Sequence, residues 1–161
     1  MSLAASAVVV IVLLVAGAQL PPDLFGPMLA SIHLAGADPG EYLRNAVAFA
    51  NERLYGSLGA NILIHPLTAR KLGPALTEAV AGLRYGNIAI NTWSAAVYNS
   101  ARGAWGAHPG HSRADIQSDT GVVRNTLLFD RPQKTVVRAP FRMMPKPVWF
   151  QSHQTCRELG E

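Results

Sequence analysis

The chain has almost no sulfur chemistry to offer: of 161 residues only Cys156 is a cysteine. A single cysteine excludes an internal disulfide framework and a cysteine-based metal site, and it suits a reducing compartment. No Gly-x-Ser-x-Gly sequence is present, so the nucleophile elbow of a serine hydrolase is missing. No Walker-type loop occurs, and no glycine-rich turn joins a strand to a helix to cradle a pyrophosphate. Charge is also scarce, at 15 % of residues, with a net formal charge of +4. The basic residues thicken only late, at Arg131, Lys134, Arg138, Arg142 and Lys146. They are separated by prolines and apolar residues, without interleaved aromatics or a groove-reading helix, so nucleic acid is not an expected partner.

What the chain has instead is apolar residues, 49 % of the total. This is enough for one domain with a core, and it argues against disorder. The longest apolar run, Leu3 to Leu20, carries no charge. Two readings of it stay open. Its length just reaches that of a spanning helix, and Ala16-Gly17-Ala18 resembles a small-residue cleavage site. Against that, no Lys or Arg precedes it, no Trp or Tyr marks an interface, and Val8 to Val15 is mostly β-branched, as in a strand buried on both faces. The chain accordingly divides into an apolar segment at 1–21, a body at 22–121 and a C-terminal section at 122–161.

Pro21-Pro22 ends the apolar run, because neither residue has an N–H to donate. Met28 to Leu34 reads as a short strand. Asp38-Pro39-Gly40-Glu41 is a helix start: Asp38 can cap, Pro39 fits the first position, and Glu41 can close a capping box. The helix carries Leu43, Ala46, Val47, Ala50 and Leu54 on one face, with Gly56 as its left-handed end. Ser57 to Ile64 alternates as a strand. Pro66 to Leu83 is helical with a break at Gly73-Pro74, and Asn87 to Asn91 is another strand. Strands alternating with helices predict parallel pairing through right-handed crossovers. The stretch from Thr92 to Gly121 is a long Gly-, Ala-, Ser- and His-rich loop, and Val122 to Phe129 and Thr135 to Ala139 are two further strands.

Three motifs occur in order along this pattern. They are Asp23-Leu24-Phe25-Gly26-Pro27, Ala50-Asn51-Glu52-Arg53-Leu54-Tyr55-Gly56, and Gly86-Asn87-Ile88-Ala89-Ile90-Asn91. Together they resemble the aldehyde dehydrogenase superfamily, whose members carry Glu-x-Phe-Gly-Pro, Ala-Asn-x-x-x-Tyr-Gly and Gly-x-x-x-x-Asn. The resemblance covers roughly Pro22 to Gly121. It implies an α/β fold: a partial aldehyde dehydrogenase-like catalytic domain with a mostly parallel sheet, flanking helices and extra C-terminal strands. It implies NAD or NADP as cofactor, an aldehyde oxidised to a carboxylic acid, and a homo-oligomer, with the late strands at the interface.

Carried across residue by residue, Asp23 would accept the nicotinamide ribose hydroxyls and Phe25 would support the nicotinamide ring. Asp23 is one methylene shorter than the family's Glu. Asn91 and Trp93 would line the substrate side. The plain alternatives are a turn aspartate, a core phenylalanine, a strand-ending asparagine and a half-buried tryptophan.

The family's nucleophile lies in Gly-Gln-x-Cys and its general base in Glu-Leu-Gly-Gly, and neither sequence is present. Cys156 follows the region of resemblance and takes no catalytic role. The expectation is therefore a C-terminal portion of such an oxidoreductase, cytoplasmic and inactive as an isolated chain, with no catalytic residue of its own. The alternative is a membrane-anchored or exported binding protein, held through residues 3–20. His108-Pro109-Gly110-His111, with Asp115 beyond, is the one cluster that hints at zinc, but Pro and Gly between the histidines give no helical face, and a solvated loop is expected there.

Overall fold

The computed structural model describes residues 10–13 (backbone), 32–100, 102–114, 121–122, 128–144 and 146. The elements in chain order are β1 (Val10–Leu13), α1 (Pro39–Arg53), β2 (Gly59–Leu63), α2 (Pro66–Leu72), α3 (Pro74–Gly82), β3 (Asn87–Ile90), a 3-10 turn (Ser94–Val97), β4 (Ala104–Trp105), β5 (Gly121–Val122) and β6 (Thr135–Arg138). The main sheet has the order β1-β2-β3-β6, and β4 pairs with β5 separately. β2, β3 and β6 are parallel, with Ala60 beside Ile88 and Ile88 beside Val136. The chain is thus mixed α/β, with a small three-strand parallel sheet and flanking helices.

β1 runs antiparallel to β2, Val10 opposite Leu63. The middle of the apolar run therefore enters the sheet as a strand. Among the described residues, no helix is long and apolar enough to cross a membrane. An antiparallel strand at the edge of a parallel sheet is common.

The strand expected at Met28 to Leu34 is not seen in its described part: residues 32–36 are irregular. Hydrogen bonds to α1 give the reason. Ala35 O accepts from Asn45 Nδ2 at 2.9 Å, and Ala37 N donates to Glu41 Oε2 at 2.8 Å. A chain folded back on the first turns of α1 cannot continue a ladder.

α1 begins as its sequence predicts. Asp38 Oδ1 accepts from the amides of Gly40 and Glu41 at 2.7 and 2.9 Å. These two bonds hold the Asp38 carboxyl below its ordinary value. Glu41 reaches Ala37, one residue further back than a capping box requires. The helix ends at Arg53, and Gly56, at φ 86°, makes the left-handed turn three residues later.

One face of the sheet carries Ala60, Ile62, Ile64, Ile88 and Ile90, packed against Leu43 and Ala50 of α1 and Leu76, Ala79 and Val80 of α3. This is the core, and its burial supplies most of the favourable free energy. The opposite face carries Asn61, Asn87 and Ala89. Asn61 Oδ1 accepts from Ser94 N at 2.7 Å, which fastens the 3-10 turn over the sheet. Asn61, Asn87 and Ser94 are all buried.

Candidate functional site

Parallel α/β sheets place ligands outside the carboxyl ends of their strands. Here that edge is formed by the residues following β2, β3 and β6. Asn91 follows β3 in a left-handed conformation, φ 58°. Asparagine tolerates this region better than other non-glycine residues, because its short amide bonds locally. Its N–H donates to Ile62 O at 2.9 Å, and its Oδ1 accepts from Ile64 N at 2.8 Å. The side chain thus ties the ends of β2 and β3 together. Trp93 follows two residues later and is 57 % exposed. His65 caps α2, with Nδ1 accepting from Leu67 N at 3.2 Å. Phe141, just past β6, meets the His65 ring edge-on with centroids 5.3 Å apart.

Of the four residues singled out in the sequence, Asn91 and Trp93 therefore share this edge. Asp23 and Phe25 lie outside the described residues, as do Cys156 and Asp115.

The turn between β2 and α2 is where an α/β fold would seat a dinucleotide's pyrophosphate. It does not fit that group. Pro66 has no N–H, and the Leu67 N–H is already bonded to His65. The following helix starts at Gly73-Pro74, again with a proline at its first position. Among the described residues, neither helix start offers a phosphate cradle.

The other end of the sheet holds a cleft that the sequence did not reveal. It is about 290 Å³ and is lined by Ala50, Asn51, Leu54, Tyr55 and Gly56 at the end of α1, by Ser57, by Arg84 and Tyr85 ahead of β3, and by His108 to His111. Its walls are pinned by the backbone. Asn51 Nδ2 donates to Gly82 O, and Asn51 Oδ1 accepts from Arg84 N, both at 2.8 Å. His108 N donates to both the carbonyl and the hydroxyl of Ser57 at 3.2 Å.

Gly86 lets the histidine loop come this close. A Cβ there would stand 1.9 Å from Gly106 O. Tyr85 is buried beneath the cleft, its hydroxyl donating to Ala50 O at 3.1 Å. Burial pushes its pKa up to about 12.

Burial holds the His108 imidazole below its ordinary value. The Pro109 carbonyl opposes this, while the positive charges of Lys134 and Arg84 add to it. Lys134 Nζ caps α3, donating to Ala81 O at 2.7 Å and to Leu83 O at 2.5 Å. Among the described residues, no group of three or more His, Cys, Asp or Glu side chains is placed to hold a metal ion.

The fold and its two edges define a mixed α/β domain with a parallel three-strand centre. The chain matches no protein-family model, no curated protein and no solved structure.

Proposed function

We propose that the chain is the C-terminal catalytic-domain segment of an NAD(P)-dependent aldehyde dehydrogenase-like oxidoreductase, which converts an aldehyde to a carboxylic acid, and that it is inactive alone. One observation carries this reading. The motif residues that bear the resemblance stand where the fold needs those residue types. Asn51 clasps the turn between α3 and β3, and Gly56 takes a left-handed turn before β2. Gly86 allows a close backbone approach, and Asn91 makes the left-handed exit from β3. Four matched motif positions thus fall on joints of one sheet, and this agreement of local sequence with the fold supports the reading.

In this reading the segment supplies structure and a substrate-side wall, with Asn91 and Trp93 at the carboxyl edge. The cysteine thiolate and general base come from outside the matched region. The described residues do not hold the cofactor's phosphates, so no step of the reaction is assigned to them. The reading carries a cytoplasmic location and a homo-oligomer with it.

The test is genetic and then enzymatic. The coding DNA upstream of Met1 is read for an in-frame Gly-Gln-x-Cys, and the joined protein is assayed for aldehyde-dependent reduction of NAD(P). Reduction that disappears on replacing that cysteine supports the proposal. Absence of the motif, or a joined protein that reduces no cofactor with any of a panel of aliphatic and aromatic aldehydes, removes it.

A further inference from the structure

We propose that the cleft at the amino ends of the parallel strands is a binding site for a small phosphate-type oxyanion. Three basic side chains from two separate segments line it: Arg84 from the turn before β3, and His108 and His111 from the loop after β4. Lys134 adds positive charge close enough to act on His108. No Asp or Glu lines the cleft among the described residues. A concave site with charge of one sign concentrates counter-ions.

The second observation is an orphaned atom. His111 Nδ1 is buried and has no hydrogen-bond partner among the described residues. Buried polar groups are nearly always paired, so this nitrogen, on a residue that lines the cleft, is a hydrogen-bonding position unmet among the described residues. His108 is already oriented. Its Nδ1 lies 2.9 Å from Pro109 O, so Nδ1 carries the proton and Nε2 is the atom left to meet a ligand.

The ligand class follows from size and charge. The cleft, about 290 Å³, is at the small end for ligand sites. Inorganic phosphate or a compact phosphomonoester fits such a space. The planar Arg84 guanidinium can give two parallel hydrogen bonds to such an anion. An anion seated there also reverses the local electrostatics of His108. Lys134 and Arg84 act on that ring with positive charge, and His111, Tyr55 and Tyr85 line the same cleft. No carboxylate is among them, so an incoming oxyanion supplies the negative charge that favours the imidazolium. The walls are held before the ligand arrives by the Asn51 and Ser57 hydrogen bonds, which lowers the ordering cost of binding.

The experiment uses the full chain and titrates inorganic phosphate at constant ionic strength, balanced with sodium chloride, while following the histidine ring nitrogens by NMR. Saturable shifts are expected at His108 and His111, together with an upward move of the His108 titration midpoint. Arg84→Gln should weaken phosphate binding about tenfold, the loss expected for one charge-assisted contact. His111→Gln should weaken it as well, and it serves as the independent variant should Arg84→Gln alter the fold. Shifts that are not saturable, that chloride reproduces, or that persist unchanged in both variants would overturn the proposal.

Discussion

Replacing Gly86 by alanine tests the packing that forms the cleft. The new Cβ would lie 1.9 Å from Gly106 O, 2.9 Å from Gly106 C and 3.1 Å from Ala107 C. All three are backbone atoms, so no side chain can swing aside. The Gly106 carbonyl would have to retreat by roughly 1 Å before the contact became merely tight, and overpacking of this kind costs about 1–3 kcal/mol. Gly86 cannot yield instead. Its N–H donates to Ser57 O at 2.8 Å, and its carbonyl accepts from Thr135 N at 2.9 Å, so it is held to β2 on one side and β6 on the other. Retreat of the loop would also loosen the His108 amide from Ser57, at a cost of about 1 kcal/mol.

The sum is about 3 kcal/mol, a large share of the ~5–15 kcal/mol that holds a typical domain together. Urea unfolding followed by circular dichroism should show the midpoint fall with little change in slope. Gly82→Ala is the matched control. Its Cβ would meet nothing closer than Val47 Cγ1 at 3.7 Å, in the last turn of α3, so it should be neutral or mildly stabilising. A Gly86→Ala protein within about 0.5 kcal/mol of the parent, the spread of harmless surface changes, would refute the reasoning.

Other outcomes are expected on the same grounds. Asn51→Ala removes the two bonds that clasp the turn before β3 and should cost about 1–3 kcal/mol, while Asn51→Asp keeps only the acceptor and should recover part of it, both read by urea titration. Asp38, whose carboxyl is held below its ordinary value by the Gly40 and Glu41 amides, contributes stability that is fully present above the unfolded aspartate pKa and is lost as pH falls through the lower folded value. Thermal melts of Asp38→Asn against the parent should therefore differ at neutral pH and converge in acid. Titration of the isolated chain with NAD should give no affinity tighter than about millimolar, because both helix starts begin with proline and the Leu67 amide is taken by His65. Micromolar binding would contradict that.

The elements that were legible in the sequence rest on signals between near neighbours. Asp38-Pro39 starting α1, the break at Gly73-Pro74 and the alternation from Ser57 to Ile64, within which β2 forms, are all written within a few residues. β1 is different. An uncharged β-branched run says that a segment is buried, not which strand it joins or in which direction, and those depend on residues some fifty positions away. Ile32 to Leu34 failed as a strand for the opposite reason. Its short apolar pattern was outweighed by Asn45 and Glu41, whose side chains bind the preceding loop to α1.

Asn91 was found as a strand end, but its bond to Ile64 was not, since a sequence does not show which amide a side chain meets. The cleft was the least visible feature. His108 and His111 sit in a segment without periodicity, and Arg84 and Tyr85 sit in an ordinary turn. The approach of Gly106 to Gly86 and the bond from His108 N to Ser57 bring them together, and neither contact announces itself in one dimension.

The arrangement that both functional readings depend on is the parallel run of β2, β3 and β6, which sends Asn91 and Trp93 to one edge and Arg84 and the histidines to the other. Interstrand nuclear Overhauser contacts in the labelled chain measure it directly. Ala60 should be adjacent to Ile88, and Ile88 to Val136, with the contact pattern of parallel strands. Antiparallel contacts between these segments, or sequential amide contacts of a helix through Asn87–Ile90, would contradict it.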